Sequence, residues 1–201
     1  MPMRYPWHPM PHLLSIQAGP ARRVKIGGRS ILTGFVKQRA FGNILVMPLG
    51  LLGDEQADLS IHGGIEKAVY AYPSEHYAYW QAARREAGAA SIDDSLPHGA
   101  MGENLTLKGL LEAEVWAGDT LRFPGCELRV TLPRQPCYKF SAMMGFEPAS
   151  RLMAQTGFCG FYLAVVRPGT LCAGDTFEVV SGRRGIGIPA LFAANRARHL
   201  R

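Results

Sequence analysis

The five residues Ala117-Gly118-Asp119-Thr120-Leu121 recur as Ala173-Gly174-Asp175-Thr176-Phe177, each time with an apolar residue before and a strand-like run after. Glycine admits the positive φ of a tight turn and aspartate closes such a turn on its own backbone, so the echo predicts two similar turns that introduce two strands. It is too short for a solenoid repeat. Residues 127–132, Glu-Leu-Arg-Val-Thr-Leu, alternate polar and apolar at period two, as a half-buried strand does, and Pro133 stops them. Residues 161–166 read as a buried strand, and Phe35-Val36 and Ile44-Leu45-Val46 as short strands broken near Gly34 and Gly42. One helix is expected from Ser74 to about Gly88, with Ser74 as its cap, Glu75 in its first turn, and Tyr77, Trp80 and Ala83 or Ala87 on its buried stripe. A second runs over 148–155 between Pro148 and Gly157, and a third is possible over 189–200. Many short strands and few helices favour a compact, largely antiparallel barrel over an α/β sheet. The expected class is mixed, mainly β: a closed β-barrel with a few peripheral α-helices.

The boundaries follow from composition. Residues 1–30 are rich in Pro, Gly and Arg and read as an irregular arm or short edge strand, 31–181 as the barrel, and 182–201 as a short tail with at most one helix. A chain of 201 residues suits one ordinary domain with a substantial core. The excess of 22 Lys+Arg over 16 Asp+Glu suits an anionic ligand, and no recognition motif for nucleic acid accompanies it. The longest apolar stretch, 152–166, is interrupted by Gly157 and Gly160 and falls short of the ~20 residues that span a bilayer. The first 20 residues lack the apolar segment of a secretory signal. Cysteines at 126, 137, 159 and 172 form no Cys-x-x-Cys pair. Reduced thiols in a cytoplasmic protein, with no membrane or nucleic-acid partner, are the expectation.

Three segments carry more polar and glycine content than a scaffold needs. In His62-Gly63-Gly64-Ile65-Glu66-Lys67 the glycine amides could cradle an anion, with His62 and Lys67 beside them. A plain hairpin turn is the alternative. In Gly102-Glu103-Asn104-Leu105-Thr106 the Asn104 amide could bind a heterocycle or phosphate, or could instead support backbone curvature. In Pro133-Arg134-Gln135-Pro136-Cys137-Tyr138-Lys139 two prolines stiffen the backbone on either side of Arg134-Gln135, and Arg134 and Lys139 could bias the Cys137 thiol toward thiolate. Cys137 as a small buried hydrophobe is the ordinary alternative. The other three cysteines fit that alternative better, and Asp54, Asp58, Asp93 and Asp94 read as solvated carboxylates.

Together with Gly53-Asp54-Glu55-Gln56-Ala57-Asp58 and Tyr72-Pro73-Ser74-Glu75-His76-Tyr77, these segments resemble, in order and spacing, the MOSC domain family related to the C-terminal part of molybdenum cofactor sulfurases, and within it the small stand-alone, YiiM-like bacterial branch. The resemblance spans roughly 130 residues and fades through the Gly174-Asp175 turn. It implies a MOSC-type β-barrel whose cleft holds a molybdenum–molybdopterin-type cofactor, with the Cys137 thiolate as the protein's ligand to the metal. His62, Gly63, Gly64, Lys67, Asn104, Thr106, Arg134 and Gln135 would bind the cofactor, and His62 is also the implied proton donor. It further implies reduction of N-hydroxylated compounds, N-hydroxylated purine bases among them, with electrons from a separate reductase, since this chain has no flavin or nicotinamide fingerprint. Stand-alone relatives often carry a longer helical C-terminal extension, so donor docking or dimer contacts made there are in question. Two other functions share the residues: a non-catalytic carrier of the cofactor, and a cofactor-free thiol enzyme with Cys137 as nucleophile and His62 as base.

Overall fold

The structure is a computed structural model that describes residues 10–58 and 63–199, without the side chains of the last two. Its strands are β1 (His12–Ala18), β2 (Arg22–Ile26), β3 (Arg29–Thr33), β4 (Gln38–Ala40), β5 (Ile44–Met47), β6 (Gly50–Leu51), β7 (Val69–Pro73), β8 (Leu105–Lys108), β9 (Thr120–Arg122), β10 (Glu127–Pro133), β11 (Phe161–Arg167), β12 (Gly169–Leu171) and β13 (Glu178–Val180). Its helices are α1 (Tyr77–Glu86), α2 (Tyr138–Met144), α3 (Ala149–Thr156) and α4 (Ile188–His199). Eight strands form one sheet in the order β13-β9-β10-β11-β7-β8-β1-β4, antiparallel except where β7 runs parallel to β8. β12-β5-β6 form a second sheet, and β2-β3 a separate hairpin.

The centre of the large sheet is β7. All five of its residues are buried, and their alternation divides two cores. Val69 and Ala71 face a cluster with Leu13, Ile16, Leu121, Phe123 and Phe177. Tyr70 and Tyr72 face an aromatic and methionine cluster with Trp80, Phe140, Met144, Met153 and Phe192. Trp80 anchors the second cluster by donating from Nε1 to the Tyr72 hydroxyl at 2.6 Å and meeting the Phe140 ring edge-on at 5.1 Å.

Both Gly-Asp turns form as the echo predicts. Gly118 and Gly174 adopt φ of 95° and 98°, which a side chain would oppose. Asp119 Oδ2 accepts the Trp116 amide at 3.2 Å and Asp175 Oδ2 the Cys172 amide at 2.8 Å, the same closure three residues back. The strands that follow, β9 and β13, pair with each other. The period-two run becomes β10, the helix between Pro148 and Gly157 becomes α3, and α4 occupies the tail. Arg196 of α4 donates to the Ala154 carbonyl, so this basic residue packs on the domain. The side chains of Arg198, His199 and Arg201 lie outside the described residues.

Four expectations need correction. Among the described residues no sheet closes into a barrel. The sheet curls until β1 meets residues 174–177 through one isolated bridge, His12 to Thr176, and backbone bonds such as Leu13 N to Asp175 O at 2.9 Å. The second Gly-Asp turn occupies that seam, and a turn cannot extend a ladder. Residues 12–18, expected in an irregular arm, are an interior strand held between β8 and β4. Ser74 does not cap α1: the helix opens through a 3₁₀ turn over Ser74–His76, and Glu75 instead accepts the Gly109 amide at 2.7 Å. Phe35-Val36, expected as a short strand, lies in the connection between β3 and β4, where Phe35 lines a cleft instead of pairing, and α2 is a helix no expectation covered. No described helix is long and apolar enough to cross a membrane.

Candidate functional site

Beyond Pro133 the chain leaves the sheet, carries Arg134 inward and turns at an extended Cys137, φ −144° and ψ 164°, into α2. The Cys137 backbone is pinned from the neighbouring helix, where Ser150 Oγ donates to its carbonyl at 2.6 Å. Cys137, Arg134 and Lys139 form one wall of a cleft of about 690 Å³, counting its open mouth. Thr33, Gly34, Phe35 and Lys37, residues 54–58, and Lys67, Tyr70, Gly102, Asn104 and Tyr162 also line it. Gly102 is required here: its φ is 80°, and a Cβ would stand 3.0 Å from the Phe35 ring.

Arg134 sets the electrostatics. It is 6% exposed, and its guanidinium lies 5.1 to 5.2 Å from the ring centroids of Phe35, Tyr70 and Phe140. Its Nη1 donates to the Met101 carbonyl at 3.0 Å. Burial alone would lower its pKa, but Tyr70, Tyr162 and Cys137 outweigh burial and raise it, so the group stays charged. Among the described residues no carboxylate lies within ion-pair distance. A buried cation without a counter-ion is costly, and the three rings recover only part of that cost. An anion in the cleft would recover the rest.

The four cysteines separate by place. Cys126 and Cys159 are buried; burial pushes the first thiol up to about 12 and the second well above the ordinary range. Cys172 is half-buried and does not line the cleft. Cys137 is half-buried and does.

The residues singled out from the sequence divide likewise. Lys67 lines the cleft with its ammonium 6.0 Å from the Tyr162 ring centroid, so Lys67, Asn104, Arg134 and Cys137 share one cavity. Asn104, however, is occupied as a brace: Oδ1 accepts the Tyr70 amide at 3.0 Å, while Nδ2 donates to the Gln17 carbonyl and to Asp54 Oδ2. With both donors used, it positions β7 and β1 rather than reaching a ligand. Thr106 is withdrawn from the cleft: fully buried, it donates to Glu103 Oε1 at 2.8 Å. The Gly64 amide donates to Gln56 Oε1 at 2.6 Å and is no free cradle, although its φ of 91° fits the expected turn. Gly63 is half-buried beside it. Gln135 Nε2 is buried without a hydrogen-bond partner among the described residues, an orphaned donor next to Arg134. His62 lies outside the described residues.

Asp54 is no solvated carboxylate. Its Oδ1 takes the Lys37 ammonium and the Gly19 amide, and both members of the ion pair are 6% exposed. Lys37, Phe35, Tyr70 and Tyr162 escaped the sequence reading; the apolar run 69–72 marked a strand, and nothing local to Lys37 marked a buried cation. Among the described residues no three His, Cys, Asp or Glu side chains are grouped to hold a metal ion.

Comparison with known proteins gives a consistent picture. A family model described as MOSC domain matches residues 58–178. The uncharacterized protein YflK of Bacillus subtilis (strain 168) is 36% identical over 177 residues, covering 88% of this chain and 76% of that one. Protein YiiM of Escherichia coli (strain K12) is 36% identical over 149 residues, covering 74% and 64%. The crystal structure of YiiM from Escherichia coli aligns with a TM-score of 0.69 at 29% identity, over 92% of this chain and 77% of the other. A protein of Gibberella moniliformis (strain M3125 / FGSC 7600) named reductase is 32% identical over 169 residues, which are 84% of this chain but 29% of that one.

Proposed function

Because this chain belongs to the MOSC domain family and is similar to its stand-alone YiiM-like proteins, we propose that it is a molybdenum-cofactor-dependent oxidoreductase that reduces N-hydroxylated compounds, N-hydroxylated purine bases among them, by cleaving the N–O bond. The observation that carries this reading is the pairing of Arg134 and Cys137 in one cleft: a buried cation with no carboxylate at ion-pair distance among the described residues, beside a half-buried thiol. The name of the fungal relative, reductase, points the same way.

The residues fit a cofactor of this kind. Its soft metal calls for a thiolate, which Cys137 would supply, and its phosphate for cations, which Arg134 and Lys67 would supply. Gln135, although its amide is orphaned, does not line the cleft and is left out of this set. When bound, the cofactor supplies the two-electron chemistry. This chain's part is to hold Cys137 still through Ser150, to keep a fixed positive charge beside it through Arg134, and to limit water with the Phe35, Tyr70 and Tyr162 rings. The net change is R–NHOH plus two electrons and two protons to R–NH₂ and water. The electrons come from a separate donor protein.

Freshly purified protein tests this by molybdenum and pterin content together with reduction of N-hydroxyadenine by dithionite-reduced methyl viologen. Equimolar cofactor with turnover is expected. Cofactor without turnover would favour the carrier role, and turnover without cofactor would overturn the proposal.

A further inference from the structure

A second cavity adjoins the cleft across Phe35 and Lys37, which line both. It measures about 960 Å³ by the same measure and lies between Arg84 of α1, Met143 of α2 and the loop 94–100. Its walls combine apolar surface, from Phe35, Leu96, Pro97 and Met143, with a nearly equal share of polar surface, to which Lys37, Arg84, Asp94, Ser95 and His98 contribute, so a flat base with a polar edge finds both kinds of contact. Its one histidine, His98, stands exposed on that wall.

The position of His98 is fixed relative to the cleft. Its ring meets Tyr77 edge-on at 5.4 Å, and the Tyr77 hydroxyl donates to Glu103. The fully buried Glu103 carboxylate clamps the same loop by accepting the Gly99 amide at 2.7 Å and the Met101 amide at 3.1 Å. The Met101 carbonyl in turn accepts Arg134. One short segment therefore joins the cation of the cleft to the histidine of the cavity.

Resting on the reductase reading above, we propose that this cavity is the substrate compartment: it receives the flat base of an N-hydroxylated purine against Phe35, and His98 donates one of the two protons the reduction consumes. As the N–O bond breaks, that proton goes to the nitrogen and gives R–NH₂, while the hydroxyl oxygen leaves as water with the second proton. The two electrons come from the separate donor protein that serves the cofactor. Solvent recharges His98. Burial lowers the His98 pKa and Arg39 lowers it further against the opposing pull of Glu103; Lys37, Arg84 and Asp94 line the same cavity. An acid of this kind is protonated at acidic pH, so the rate is highest there and falls as pH rises toward neutrality.

The test uses molybdenum-loaded full-length protein, N-hydroxyadenine and dithionite-reduced methyl viologen. His98→Gln is expected to lower kcat by about a hundredfold or more with molybdenum content and KM kept, and to remove the fall of rate with rising pH. Met143→Trp fills the cavity from the surface and is expected to raise KM at least about tenfold with molybdenum kept. Calorimetric binding of the product base adenine reads the cavity without turnover, so a failure of the reductase reading stays distinguishable from a failure of this one. Loss of adenine affinity in Met143→Trp supports the compartment even where turnover is absent. Unchanged adenine affinity in Met143→Trp, or a loss of kcat on His62→Gln with His98→Gln at the wild-type rate, would overturn the proposal.

Discussion

Arg134 donates from Nη1 to the carbonyl of Met101 at 3.0 Å, and this one bond joins the end of β10 to the loop that shapes the neighbouring cavity. The remaining guanidinium edge has aromatic faces around it and no carboxylate within ion-pair distance among the described residues. A charge kept buried on those terms contributes little to folding.

Arg134→Met should therefore separate function from stability. The methionine fills the space between Phe35, Tyr70 and Phe140 without a charge to desolvate, so the melting temperature is expected to stay within about 4 °C, since the lost Met101 bond is worth only ~1 kcal/mol. Cofactor retention after dialysis should fall by roughly 10- to 150-fold, the value of one charge-assisted contact. Molybdenum content by mass spectrometry beside a thermal melt checks both halves. A large loss of stability with full retention would make Arg134 a scaffold residue only.

Thiol reactivity should follow burial. With iodoacetamide at pH 8, Cys137 and Cys172 are expected to alkylate in the folded apo-protein, while Cys126 and Cys159 react only after urea unfolding. The Cys126 pKa, raised to about 12 by burial, also sets a sign. Folding is unaffected by this group below the ordinary thiol pKa, where both states are protonated. As pH climbs from there toward about 12 the unfolded chain ionises and the folded one does not, so stability falls. Peptide mapping and urea midpoints at pH 8 and 10 measure both effects; removing one buried thiol by Cys126→Ala should reduce the alkaline loss and leave the share that Cys159 contributes.

What the sequence disclosed was local. The alternation of 127–132 and the twin Gly-Asp turns need only their own residues to be read, and β10, β9 and β13 appear where they point. β1 was hidden because prolines crowd its N-terminal side and its partner, β8, lies some ninety residues away. α2 is a single short helix whose cap position is Cys137, with no Ser, Asp or Asn there to announce it. Cys137, Arg134 and Lys67 could be chosen by chemical type. Whether Asn104 would brace or bind depended on Gln17 and Asp54, and whether Asp54 was solvated depended on Lys37. Long-range burial decided both, and no spacing encodes it.

The Lys37–Asp54 pair shows how strongly the cleft wall relies on charge. Removing one partner of a buried pair typically costs ~3–5 kcal/mol because the other is left unpaired. Asp54→Leu also orphans the Gly19 amide and one Asn104 donor, so it should fall in the upper half of that range. Lys37→Met should fall in the lower half. Urea midpoints of the two variants test the order, and a smaller loss for Asp54→Leu would remove the brace from the account.

Ser150 is expected to act on Cys137 through its backbone. Ser150→Ala removes the 2.6 Å bond to the Cys137 carbonyl and costs about 1 kcal/mol of stability. Turnover should fall further than that, because it depends on where the thiol sits. Ser150→Thr, which restores the hydroxyl, should recover it. Equal turnover in wild type and alanine variant would mean that α3 merely packs against the turn.

The most direct test compares molybdenum and pterin in wild type and Cys137→Ser, both purified anaerobically from molybdate-supplemented cells. Cys137 is half-buried and its side chain makes no hydrogen bond among the described residues, so the serine variant should fold as wild type by circular dichroism. The wild type is expected to carry equimolar molybdenum and pterin and the variant to lose the metal and all turnover, because a neutral hydroxyl is a poor substitute for a thiolate ligand. A folded Cys137→Ser protein that keeps equimolar molybdenum and full turnover would contradict the assignment of this cleft.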